Sequence, residues 1–381
     1  MRGRAVAYQV GLAIFLVCVV VILSFPQSSG AQWVQTGGPE GGAIEALEAS
    51  GKYLFGRTRG GWFLLADNGA NWTAVNPPLR GIEPHADGLM RDYGLVIDGA
   101  YLFAYTKRGI FLSADNGRSW VSIDSWLPML AKSVDLKVIG KNLLAVTNRG
   151  VFLSKNNGSS WITVNSRFPN TEWMLFDEIG SNLFVTIDRR CFRSTDNGAS
   201  WKVVKGLLES PCFVLSAANG ANLFALIWSI STEWHCLYRS TDNGASWQRL
   251  RIEKAVTEYE AYEVRIRQLA VMGENLIASD GSAVFLSANN GESWDRFTME
   301  KCGLEGLSIL CLKVIGTNVF AGTWGGGVFL STDYGASWRA VSSGLTDLVI
   351  KDLEVIGTDL FAGTNGSGVW RLSLTDIIHE R

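Results

Sequence analysis

The chain has 381 residues, 47% hydrophobic and 18% charged, a balance that can bury a large core and excludes disorder as its main state. A net charge of −2 with only three His excludes a nucleic-acid-binding polycation and a polyhistidine metal site. Glycine at 42 signals many turns, and tryptophan at 15 is the odder excess.

The first element is a leader. Arg2 and Arg4 precede an apolar run over 10–25 that only Gly11 and Ser24 interrupt, and small residues follow at Ser29 and Ala31. The run is shorter than the ~20 residues of a spanning helix, so 1–31 reads as a signal peptide cleaved near Ala31. An uncleaved N-terminal membrane anchor is the alternative. Either reading exports the remainder, to the periplasm or the cell exterior, with no membrane span after cleavage. Losing Arg2 and Arg4 moves the net charge from −2 to −4.

From residue 32 a single unit recurs. Its clearest part is a turn of pattern S-x-D-x-G-x-x-W at 65–72, 113–120, 154–161, 194–201, 240–247, 287–294 and 331–338, with Leu65 for the first Ser and Asn156 and Asn289 for the acid. Asp67, Asp115, Asp196, Asp242 and Asp333, with the two Asn, are expected to accept hydrogen bonds from backbone N–H groups one or two residues on, while Gly supplies a positive φ. Trp72, Trp120, Trp161, Trp201, Trp247, Trp294 and Trp338 then anchor the next strand. A calcium site is disfavoured, because each turn offers too few oxygens for a 6–8 coordinate ion.

Before each turn runs a G-x-x-L-F-A strand and then a Gly-Val-Phe-Leu-Ser strand; an alternating strand lies upstream and a short strand follows the Trp. Four strands per unit, with tryptophans 40–48 residues apart, match the blade of a β-propeller. The last unit, 349–374, stops after three strands, and 32–35 with Trp33 reads as its missing fourth. The fold class is therefore all-β: an eight-bladed β-propeller over 32–374, closed by the N-terminal strand, with 375–381 as a C-terminal tail. Closure removes the open edges that the two ends would otherwise present. Seven blades is the alternative.

No cofactor or metal is expected. Cys191, Cys212, Cys236, Cys302 and Cys311 are an odd set without C-x-x-C spacing, and His85, His235 and His379 are scattered. Cys191 and Cys236 read as small apolar core residues, and Cys302 could pair with Cys311.

The turns resemble Asp-box (BNR) repeats, and the unit's wording is closest to photosystem II stability/assembly factor-like exported repeat proteins. It is more distantly similar to sialidase, xyloglucanase and sortilin propellers. The resemblance implies the fold, and for assembly factors a patch of arginines on one face that binds membrane-protein partners; fold alone does not carry function. The sialidase Arg-Ile-Pro motif is missing, since Arg251-Ile252 and Arg265-Ile266 run on into Glu253 and Arg267. Asp188 and Asp280 are loop acids that read as solvated turn residues, so a hydrolase is not expected.

The connections between second and third strands carry Arg59, Lys107 with Arg108, Arg149, and Arg189 with Arg190 in units one to four, against Asp280, Trp324 and Asn365 in units six to eight. Two readings stand: solvated turn charges, or a basic crescent that docks an acidic protein segment. Unit five carries an insertion with Trp228 and Trp234, read as loop aromatics for contact or for capping the blade. Blade connections add Trp126, Phe168 and Trp173 near the basic half, and Glu258, Glu260 and Glu263 near the other. The expected role is an exported, non-catalytic scaffold that binds protein, without nucleic acid. A glycan-binding or glycoside hydrolase propeller is the alternative.

Overall fold

Each repeat folds into a sheet of four antiparallel strands, and eight such sheets form a ring. The computed structural model describes residues 32–39, 42–66, 71–75, 94–98, 101–106, 109–123, 134–139, 141–147, 150–165, 174–187, 190–207, 212–219, 222–229, 234–257, 260–263 and 265–378. Blade 1 runs Ile44–Ser50, Tyr53–Thr58, Gly61–Ala66 and Asn71–Ala74. Blades 2 to 7 begin at Gly94, Val134, Met174, Cys212, Gln268 and Ile309. Blade 8 has Ile350–Ile356, Asp359–Thr364 and Val369–Ser373, and takes Val34–Gln35 as its outer strand, with Val34 opposite Arg371 and Gln35 opposite Trp370.

The second strands explain why the ring holds. Leu54-Phe55, Leu102-Phe103, Leu183-Phe184, Leu223-Phe224, Val319-Phe320 and Leu360-Phe361 are all buried, on both faces of their sheets. Such strands lose the polar alternation of a one-faced sheet because a neighbouring blade covers each side. Core clusters accordingly join adjacent blades: Phe103 and Ile110 of blade 2 pack with Leu143, Ala145 and Phe152 of blade 3. Each fully buried side chain of this size contributes roughly 1.5–3 kcal/mol.

The closing seam repeats that chemistry across the chain ends. Trp33 is buried, its Nε1 donates to Val341 O at 2.6 Å, and its backbone N–H donates to Ser343 O at 2.9 Å. Thr36 N–H and Oγ1 both donate to Val369 O, at 3.0 and 2.7 Å. On the far side of the seam, Leu47 N–H of blade 1 donates to Asp352 Oδ2 of blade 8 at 2.8 Å.

Three features depart from the sequence expectation. Glu253–Thr257 and Glu260–Glu263 pair as a two-stranded ribbon between blades 5 and 6, where a plain connection was expected. The tail begins as a short helix, Leu374–Ile378, whose Leu374 and Ile377 are buried in the core of the last blades. Cys302 and Cys311 do not pair; both are free and buried, and Cys191 and Cys236 are buried too. Burial pushes the Cys191 thiol up to about 12.

Candidate functional site

Antiparallel order within every blade puts the box turns and first-to-second turns at one end of the ring. Second-to-third turns and blade-to-blade connections share the other. The first end is occupied by structural chemistry. In the box of blade 2, Ser113 Oγ accepts from Gly117 N–H at 2.8 Å and donates to Asp115 Oδ1 at 2.8 Å. Asp115 accepts from Ser119 N–H and Ser119 Oγ, at 2.8 and 2.6 Å. Blades 4, 5 and 7 repeat this with Asp196, Asp242 and Asp333. The acid thus reaches four residues on, not one or two as expected, and the Ser holds the glycine instead. Asn156 and Asn289 substitute by accepting the same N–H and donating to the following Ser Oγ.

Hydrogen bonds from Ser119 and Ser113 hold the Asp115 carboxyl at about 2. Burial pushes the Asp242 carboxyl up, but bonds from Ser246 and Ser240 outweigh it and hold the group at about 2 as well. These acids are committed to the backbone. Among the described residues no group of three or more His, Cys, Asp or Glu could hold a metal ion. The box tryptophans are anchors of two kinds. Trp120, Trp201, Trp294 and Trp338 donate Nε1 to the carbonyl of their own box glycine, at 3.0–3.2 Å. Trp161 instead donates to Ile123 O of the preceding blade at 2.9 Å, as Trp33 does at the seam, and Trp72 donates to Thr36 Oγ1 at 3.0 Å. Asp67 lies outside the described residues.

The opposite end carries the candidate docking residues. Arg59 is exposed in the turn between the second and third strands of blade 1, and Arg190 is exposed at the start of Arg190–Ser194 in blade 4. Lys107, Arg108, Arg149 and Arg189 lie outside the described residues, as do Trp126, Phe168, Trp173, Asp188, Glu258, His85 and His379. The strands that flank 107–108, 148–149 and 188–189 end and begin as the repeat predicts: Thr106 to Gly109, Thr147 to Gly150 and Ile187 to Arg190.

The insertion of blade 5 is corrected. Trp228 and Trp234 are strand residues, because Asn222–Ser229 and Trp234–Ser240 extend beyond the usual blade length. Trp228 pairs with His235 and Ser229 with Trp234, so the register puts the two tryptophan positions on opposite faces of the blade. Asp280 is a turn cap: its Oδ1 accepts from Ser282 N–H, Ser282 Oγ and Ala283 N–H at 2.7, 2.9 and 2.8 Å.

Basic side chains missed by reading only the second-to-third turns also lie on this end. Arg251, Arg265 and Arg267 are exposed in the connection from blade 5 to blade 6. Their signal was available in the Arg-Ile-Glu and Arg-Ile-Arg runs around the ribbon. Inside the ring, the inner strands place Glu48 and Lys137 within electrostatic reach of each other across blades 1 and 3. Glu48 is open to the channel, yet the surrounding protein desolvates it and raises its carboxyl above the usual range. In blades 7 and 8, Lys313 Nζ meets Glu354 Oε1 at 2.5 Å.

These features define an eight-bladed β-propeller with a structurally committed box face and an arginine-bearing open face. No family model and no curated protein matches the sequence. Solved structures do match over nearly the whole ring. YCF48 from Cyanidioschyzon merolae is 17% identical, with 91% of this chain and 99% of that chain covered, at a TM-score of 0.52. YCF48 bound to D1 peptide is 13% identical, with 93% and 98% covered, at 0.54. BamB from Moraxella catarrhalis is 16% identical, with 90% and 99% covered, at 0.52. At such identities the likeness is one of fold.

Proposed function

We propose that this chain is an exported, non-catalytic propeller that binds protein partners as an assembly scaffold through its open face. The observation that carries the reading is chemical asymmetry between the two ends. Box acids are consumed by backbone and serine donors, and Asp280 on the open face is consumed likewise, whereas Arg59, Arg190, Arg251, Arg265 and Arg267 are exposed there. Guanidinium groups on a rigid rim suit bidentate recognition of carboxylates and steer an acidic partner toward the face. YCF48, captured with a D1 peptide, shows that a ring of this shape can hold a peptide segment.

The leader over 1–31 supports export, to the periplasm or the cell exterior, where a membrane-protein or acidic segment would be met. The test is a pull-down of the mature domain from its native envelope, repeated with Arg108, Arg149, Arg189 and Arg190 changed to Glu. Partner recovery should fall sharply in the variant; unchanged recovery would sink the basic-face reading. Release of reducing sugar from a glycan panel by the purified domain would overturn the non-catalytic part.

A further inference from the structure

The second-to-third turn has a common build in which the residue after the hydroxyl side chain differs from blade to blade. Thr58, Thr147, Ser279, Thr323 and Thr364 each donate Oγ to a carbonyl at the far side of the turn, at 2.8–3.4 Å. In the sequence the next residue is Arg59, Asn148, Asp280, Trp324 or Asn365. Every blade but the seventh in this set puts a polar residue there. Trp324 is 56% exposed, so a large apolar ring is kept in water at a position the fold does not need it to fill.

Its surroundings form a small platform. Leu348, 38% exposed, accepts at its carbonyl from Gly325 N–H and Gly327 N–H at 3.0 and 2.9 Å, which fixes the blade 7 turn to the connection into blade 8. Lys351 lies at the bulge between Ile350 and Asp352, where the inner strand of blade 8 slips register, and its Nζ stands 5.8 Å from the Trp324 ring centroid. A bulge re-aims its side chain, here onto the ring of the preceding blade. Nearby acids are spoken for by backbone: Asp347 accepts from Val349 N–H and Gly366 N–H at 3.0 and 2.7 Å, and Asp352 from Leu47 N–H and Leu353 N–H at 2.8 and 2.9 Å. The charged group that stands over the exposed ring is the Lys351 ammonium.

We propose that Trp324, Leu348 and Lys351 form a docking site for an acidic linear peptide, an apolar side chain resting on Trp324 and Leu348 and an adjacent carboxylate meeting Lys351. The site deepens the scaffold reading and rests on it. Exposed tryptophan beside a cation has the makeup of an interface anchor, and the carboxylate would complement the Lys351 ammonium that stands over the ring.

The experiment measures anisotropy of fluorescein-labelled octapeptides that alternate Glu or Asp with Leu or Phe, against a Lys-for-acid counterpart and a Ser-for-apolar counterpart. The wild-type domain should bind the acidic apolar peptide, more weakly as salt rises. Trp324→Ala and Lys351→Glu should each weaken it about tenfold, the scale of losing an interface anchor. Both side chains are exposed, so their thermal melts should match the wild type. Equal binding by Trp324→Ala, preference for the Lys peptide, or competition by an uncharged oligosaccharide would overturn the site. The same variants enter the envelope pull-down. Full partner recovery with Trp324→Ala and Lys351→Glu together would discard the Trp324–Lys351 site while leaving the scaffold reading intact. No peptide binding and no partner recovery by the wild type would discard both.

Discussion

Ser113 carries more of the blade 2 turn than its size suggests. Its Oγ satisfies the buried Gly117 N–H and donates to Asp115, so Ser113→Ala strands one buried donor and releases the acid. We expect a loss of about 1–3 kcal/mol in denaturant unfolding, against a smaller effect of Asp115→Asn, because Asn156 and Asn289 already do the acid's work in blades 3 and 6. The box acids also set an acid limit. Asp115 and Asp242 sit at about 2, below the ordinary 3.8, and Asp196 and Asp333 are lowered too. A depressed carboxyl contributes stability above its unfolded value and loses it as pH falls through its folded value. Melting temperature should therefore drop between about pH 4 and pH 2, and Asp242→Asn should flatten that drop, its deficit relative to wild type being largest at neutral pH and shrinking as pH falls. A variant that keeps the wild-type slope would show that the box acids do not govern acid stability.

At the scale of elements, the parts legible in sequence were those with one physical solution. A box turn needs the left-handed backbone at its glycine, and the structure puts the residue before it there too: Asn116 and Gly117 have φ of 58° and 84°. That pair explains the recurrent Asn-Gly, and made seven turns and eight blades countable. The strands around Trp228 and Trp234 were read as loop because Ser and Thr between them resemble turn chemistry, whereas the pairing continues to Ser229 and Trp234. The 253–263 ribbon has no repeat to announce it, and its charged residues mask the strand alternation. A third signal was passed over: Gly206, Gly303 and Gly344 share positive φ and lie against the backbone carbonyl of Trp247, Trp338 and Trp33 in the following blade. Any side chain there would push neighbouring blades apart. Asp352 makes the same kind of link with a side chain, at the seam. Asp352→Ala should cost about 1–3 kcal/mol by orphaning Leu47 N–H, while Asp352→Asn keeps an acceptor. Burial raises the Asp352 carboxyl, so its ionised form destabilises the fold as pH rises, and the Asn variant sheds that cost. Calorimetry at neutral pH should rank Asp352→Asn above wild type and Asp352→Ala below Asp352→Asn; equal melting of all three would remove Asp352 from the seam.

On the scale of the molecule, a ring has no end to fray unless its seam opens. Trp33 fills the same cluster as Cys311, Ile350 and Trp370, so the outer strand contributed by the N-terminus covers a core shared by blades 7 and 8. Cys311 is buried and burial strongly raises its thiol, which protects it twice, by access and by ionisation. Its labelling by a neutral thiol reagent consequently reports opening of these blades. In the intact ring it should label slowly, at a rate set by cooperative unfolding. Deleting residues 32–35, or Trp33→Ala, removes the Nε1 bond to Val341 and the cover over the cluster. Cys311 should then label at least tenfold faster while Cys191, packed between blades 4 and 5, stays protected. Equal acceleration at both thiols would mean that the ring opens as one unit, and no acceleration at either would mean that the N-terminal strand does not hold the closure.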